Sequence, residues 1–153
     1  NLVVVSPDTG FVKQARRYAT LLQCNLAIGD KERINHDENA EILQIIGDVK
    51  GKTAMIVDDF AISAGTLVEI ANTLIEKGAS SVYAAITHGV FAPGTKERID
   101  DSPITKLLVT DSIETQPTPM SDKVEIVSVA AYLGEAIRRI HNRESISVLF
   151  SNA

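Results

Sequence analysis

Two adjacent carboxylates, Asp58 and Asp59, follow an apolar run and precede the turn Ser63-Ala64-Gly65-Thr66 in the stretch MIVDDFAISAGTL, Met55 to Leu67. A rigid strand end would fix the two acids. A tight turn entering a helix near Gly65 aims consecutive backbone N–H groups at one point and sets the positive end of the helix behind them. Together with the Ser63 and Thr66 hydroxyls, the amides of this turn form a site suited to a phosphate monoester. The carboxylates suit the other end of such a ligand, because they accept hydrogen bonds from sugar hydroxyls or hold a hydrated Mg²⁺ through hard oxygen donors. Ser, Asp and Thr are also ordinary helix caps. Two acids in succession repel each other, however, and a purely structural turn has no need of both.

Other charged residues lie where strands should end. Lys31 and Arg33 follow the apolar stretch Asn25 to Ile28 and precede INHDEN, which has little to bury. They are therefore expected on a mobile loop, within an irregular, charge-dense stretch from Asp30 to Asn39. On residues alone, a solvated charged loop is the simpler reading. Asp8, in SPDTG, ends the first apolar run beside Gly10 and serves equally well as a helix N-cap or as an oxygen ligand. The histidines show no metal-ligand spacing. His36 and His141 read as surface residues, and His88 as a residue at a strand's carboxyl end that could line the site.

The frame for these residues is an alternation of strands and helices. Apolar runs at Leu2–Val5, Asn25–Ile28, Thr53–Val57, Ser81–Thr87, Lys106–Val109 and Val124–Val127 have the unalternating character of strands covered on both faces. Between them, helical spacing links Phe11, Ala15, Tyr18 and Leu22, then Leu67, Ile70, Ala71, Leu74 and Ile75, then Val129, Leu133, Ala136, Ile137 and Ile140. Gly78 is placed to end the second helix. This order predicts an α/β fold, an open, mostly parallel twisted sheet with helices on both faces, binding ligands at the carboxyl ends of its strands. A second irregular stretch, Glu114 to Asp122, carries Pro117 and Pro119.

With 153 residues, 44% of them hydrophobic, the chain is long enough for one domain with a substantial core. Its net charge of −5 argues against a nucleic-acid partner. No apolar run reaches the roughly 18 residues of a membrane span. A single cysteine, Cys24, forms no internal disulfide, and no signal-peptide pattern is seen, so a reducing cytoplasm is the expected compartment.

The order AMIV, two acids, two apolar residues, one variable position and S/T-x-G-T resembles the fingerprint of the type I phosphoribosyltransferase fold. VVVSPDTG at Val3, AIGDKER at Ala27, IIGDVKGKT at Ile45, THGVF at Thr87 and the ending IRRIHNRESISVLF resemble, more narrowly, the ribose-phosphate pyrophosphokinase family. The likeness covers nearly the whole chain but only the carboxyl-terminal half of that family, whose chains are about twice as long. It implies a single phosphoribosyltransferase-like domain over residues 1–153, with another half preceding it, in a homo-oligomer that transfers diphosphate from ATP to the C1 hydroxyl of ribose 5-phosphate.

In the roles the resemblance implies, Ser63, Ala64, Gly65 and Thr66 hold the 5-phosphate and Asp58 and Asp59 the ribose. Lys31 and Arg33 clamp the transferred phosphates, and Asp8 belongs to a Mg²⁺ site completed by a histidine of the other half. Purine recognition falls largely to that other half. Two residues depart from the family pattern: Glu32 stands where a basic residue is usual, and Ile62 where many members have a sugar-contacting aspartate. Two alternatives share the fold, a phosphoribosyltransferase and a non-catalytic regulatory subunit. No nucleobase hood is visible for the first, and the retained Asp8, Lys31 and Arg33 speak against the second.

Overall fold

Val3, Val4 and Val5 have no solvent exposure, so the first strand is covered on both faces. A computed structural model of the chain describes residues 1–33, 41–113 and 120–150. It places the strands β1 (Leu2–Ser6), β2 (Asn25–Arg33), β3 (Glu41–Ile46), β4 (Thr53–Ala61), β5 (Ser81–Gly89), β6 (Ile104–Thr110) and β7 (Val124–Val127) in one sheet, in the order β3-β2-β1-β4-β5-β6-β7. Every neighbouring pair is parallel except β2 with β3. The α/β class expected from the alternation is the one observed.

Strand alternation sends Val4 and Val57 to one face and Val3, Val5 and Ile56 to the other. The first face is covered by α1 (Val12–Leu21), which contributes Ala15 and Ala19 together with Phe11 just before it. The second is covered by α2 (Gly65–Glu76) through Leu67, Ile70, Ala71 and Leu74, and by Ile99 of α3 (Thr95–Asp100). Burying each such aliphatic side chain contributes about 1.5–3 kcal/mol, so α2 is the best-anchored helix. Gly78 ends α2 in the left-handed conformation, with φ +88°, and donates its N–H to the Ile75 carbonyl at 2.9 Å.

The structure corrects the sequence expectations in four places. A seventh strand, β3, pairs antiparallel with β2 from Ile28↔Ile46 to Arg33↔Glu41. It is half buried: Leu43 and Ile45 pack against the α2 core, while Gln44 and Ile46 face out. Its ladder holds residues 30–33 extended, so Lys31 and Arg33 lie on a strand rather than on the expected irregular loop. Residues 34–40, including His36, and residues 114–119, including Pro117 and Pro119, lie outside the described residues.

The second correction is α3, too short for a periodic signal. Lys123 binds its C-terminal end, with Nζ donating to the carbonyls of Ile99, Asp100 and Ser102 at 3.3, 2.9 and 2.7 Å. Third, β7 is an exposed edge strand instead of a doubly covered one, with Glu125, Ile126 and Val127 open to solvent. Fourth, the expected last helix exists as α4 (Ala130–His141), but its apolar stripe packs on nothing described. Leu133 and Ile137 are 59% and 67% exposed, and no residue of α4 is buried. Among the described residues no helix is long and apolar enough to cross a membrane.

Candidate functional site

Strands β1 and β4 lie side by side, yet the chain leaves β1 toward β2 and leaves β4 toward β5. Diverging connections open a crevice at the carboxyl ends of such a pair, the usual ligand position in an open α/β sheet. Asp8 follows β1 at this point and Asp58 lies near the end of β4. Asp8 Oδ1 accepts the Phe11 N–H at 2.9 Å, which ties the turn into α1, and its carboxylate remains exposed. Asp8 is therefore not the helix cap, since Phe11 holds the N-cap position of α1 and no side chain caps it, and the carboxylate stays open to a ligand.

Asp58 is half buried, and its Oδ1 accepts the Asp59 N–H at 2.9 Å. Burial raises its pKa from 3.8 to about 6, and the negative charges of Asp59 and Asp8 add to the shift. Asp59 is turned to the α1 side, where it lines a groove of ≈710 Å³ with Gln14, Arg17, Thr87 and Phe150. Strand alternation sends Asp58 the other way, so the two acids do not present themselves as one pair.

The Ser63–Thr66 turn has the properties of an anion cradle. Ala64 is left-handed at φ 55°, ψ 10°, a conformation that costs a non-glycine residue on the order of 1 kcal/mol. No side chain caps α2 and no acid lies in its first turn. Its first bond to the turn runs from Val68 N to the Ala64 carbonyl at 3.0 Å. The N–H groups of Gly65, Thr66 and Leu67 therefore point out of the helix end without helical partners. The Ser63 and Thr66 side chains are exposed beside them. Ile62, just before the turn, is also exposed and offers no polar atom from its side chain.

Lys31 reaches back from β2 to α2, with Nζ 2.6 Å from Glu69 Oε2. This ion pair links the β2–β3 hairpin to the helix that carries the turn. Arg33 lies two positions further along the strand, opposite Glu41. His88 Nδ1 is 2.7 Å from Ser112 Oγ, so the ring is tied to the end of β6. His141 is exposed at the end of α4, as expected. Among the described residues no group of three or more His, Cys, Asp or Glu side chains is placed to hold a metal ion.

A family described as the phosphoribosyl synthetase-associated domain matches residues 38–151. The chain belongs to that family. It is 52% identical over 148 residues to a ribose-phosphate pyrophosphokinase of Thermosipho africanus, covering 97% of this chain and 46% of that protein. To the enzyme of that name in Oceanobacillus iheyensis it is 46% identical over 150 residues, covering 98% and 47%. A solved phosphoribosylpyrophosphate synthetase from Mycobacterium smegmatis superposes with a TM-score of 0.84 at 31% identity, over 93% of this chain and 45% of that one. The chain thus spans about half the length of the relatives it matches.

Two contacts of this phosphoribosyl synthetase-associated domain had no signal in the sequence. Glu69 and Arg98 reach Lys31 and the Ser63 carbonyl across 38 and 35 residues. Only the packing of α2 against β3 and α3 brings them there.

The raised pKa of Asp58 has a sign that can be tested. Because the folded state favours the protonated acid, folding is penalised above the folded value of about 6, and the penalty fades as pH falls toward 3.8. Asp58→Asn is therefore expected to raise stability at pH 7.5 by on the order of 1 kcal/mol, a figure reduced for solvent screening of a half-buried group. The gain should vanish near pH 4, while ligand binding at the crevice is lost. Melting curves at the two pH values check this. A variant that melts lower at both and binds normally sinks the assignment.

Proposed function

We propose that this domain supplies the ribose 5-phosphate site and the catalytic cations of a ribose-phosphate diphosphokinase, in which the sugar's C1 oxygen attacks the β-phosphorus of ATP. The new C1–O–P bond forms as the bond between the α,β-bridging oxygen and the β-phosphorus breaks. The hydroxyl proton is lost and AMP departs. The observation that carries this reading is the uncapped, left-handed turn at the end of β4, facing a crevice that already holds two carboxylates. The turn's amides and the Ser63 and Thr66 hydroxyls bind the 5-phosphate. Asp58 is assigned to the ribose hydroxyls, and Asp59, on the opposite face of β4, is assigned to them from the α1 side of the crevice.

Asp8 and Asp58 are the residues that would hold Mg²⁺. Repelling carboxylates, one of them with its pKa pushed up to about 6, are the hard oxygen donors a dication prefers. Bound Mg²⁺ supplies neutralisation of phosphate charge. Lys31 and Arg33 hold the phosphates in transfer, where positioning and charge stabilisation do most of the work. Adenine recognition, homo-oligomer assembly and a cytoplasmic setting belong to the same proposal, with adenine seated mainly outside this domain.

The test is calorimetry of this chain with ribose 5-phosphate. Binding is expected in the wild type, and a loss of at least about tenfold in a Gly65→Val, Thr66→Ala double variant, since a valine beside the Ser63 hydroxyl obstructs that donor and the Thr66 hydroxyl is removed. Equal affinity in the two proteins rejects the site.

A further inference from the structure

The carbonyls of Ala61, Ile62 and Ser63, which lead into the turn, are all taken by donors from one other segment, β5's end through α3. Val90 N donates to Ala61 O at 2.9 Å, Ala92 N to Ile62 O at 2.7 Å, and Arg98 Nη1 to Ser63 O. That segment is itself firmly set. Phe91 and Thr95 are buried, Ile99 anchors α3 in the core, and the Thr95 hydroxyl donates to Ala92 O at 2.6 Å. It forms a backing plate on one side of the turn.

A planar trans peptide points its C=O and its N–H in opposite directions. Holding the Ser63 carbonyl therefore fixes where the Ala64 N–H points and resists rotation of the Ser63–Ala64 peptide. This matters because Ala64 is left-handed, a state that a free turn would leave. The first two carbonyls are held by backbone amides, which any sequence supplies. The third is held by a side chain, and its charge makes the hydrogen bond stronger than a neutral one. Neighbouring Lys96 is engaged with Asp100 at 2.5 Å and cannot substitute.

We propose that Arg98 is a positioning residue of the phosphate turn: by gripping the Ser63 carbonyl it keeps Ala64 left-handed, so that the amides of residues 64–66 converge on one phosphate. The inference rests on the reading of this turn as the ribose 5-phosphate site.

The experiment is calorimetry of wild type, Arg98→Gln and Arg98→Lys with ribose 5-phosphate and with inorganic phosphate, alongside melting curves. Arg98→Gln is expected to weaken both ligands by about tenfold, since they share only the phosphate, and to melt close to wild type because Arg98 is exposed. Arg98→Lys keeps a charged donor and is expected to recover most of the loss. Unchanged affinity in Arg98→Gln overturns the role, as does a loss confined to ribose 5-phosphate. If Arg98→Gln melts far below wild type, the lysine variant decides: melting restored without phosphate affinity also overturns it. A wild-type chain that binds neither ligand instead rejects the phosphate reading itself.

Discussion

Lys31→Ala, in a full-length protein as long as the relatives this chain matches, is expected to slow AMP release by about 10²–10³-fold while leaving ribose 5-phosphate affinity within about twofold of wild type. The large effect follows from the reaction class. Phosphoryl transfer builds negative charge on equatorial oxygens, and a cation positioned for that charge acts mainly in the transition state. The small effect follows from geometry. Lys31 is on the β2–β3 hairpin, ion-paired to Glu69 at 2.6 Å, and is no part of the turn that would hold the 5-phosphate. An exposed ion pair of this kind is worth roughly 0–1 kcal/mol, so exchanging Glu69 for phosphate oxygens is not prohibitive. Single-turnover AMP release combined with ribose 5-phosphate titration separates the two effects. An unaltered rate removes the hairpin from the mechanism, and a parallel loss of sugar affinity moves Lys31 into the ground-state site.

What was legible in the sequence followed from strong local patterns. Val3–Val5 and Met55–Val57 announced doubly covered strands, and the Leu67, Ile70, Ala71, Leu74 spacing announced a helix whose amino end must lie at the Ser63–Thr66 turn. That was enough to place Asp58 and the turn in one crevice. The hairpin was not legible because residues 30–33 carry no apolar signal of their own. They are extended because β3 pairs with them, and Gln44 interrupts the apolar run that would otherwise mark β3. The opposite facing of Asp58 and Asp59 follows from strand geometry, but it needed the knowledge that β4 continues through both acids to Ala61. Arg98 and Glu69 were invisible because their partners are set by tertiary packing alone.

The stripe on α4 leads to the last expectation. Tyr132, Leu133, Ile137 and Ile140 are all exposed by 59% or more, and an apolar helix face of this kind calls for a covering surface. The chain spans about half the length of its relatives, and a segment matching the part of them that it does not span is the candidate for that cover. The 153-residue chain alone is therefore expected to bind ribose 5-phosphate yet release no AMP from ATP. The turn and its backing plate lie wholly within this domain, whereas the adenine is proposed to sit mainly outside it. In-line transfer requires both reactants held in a near-attack arrangement, worth about 7–11 kcal/mol of barrier, and a domain that holds the sugar and the transferred phosphates without seating the adenine does not supply it. Adding the other half, or expressing the full-length protein, is expected to restore AMP release with no change in the residues of the turn. Robust AMP formation by the lone chain would show that it contains a complete ATP site, and a full-length protein that binds the sugar but stays inactive would favour the non-catalytic reading.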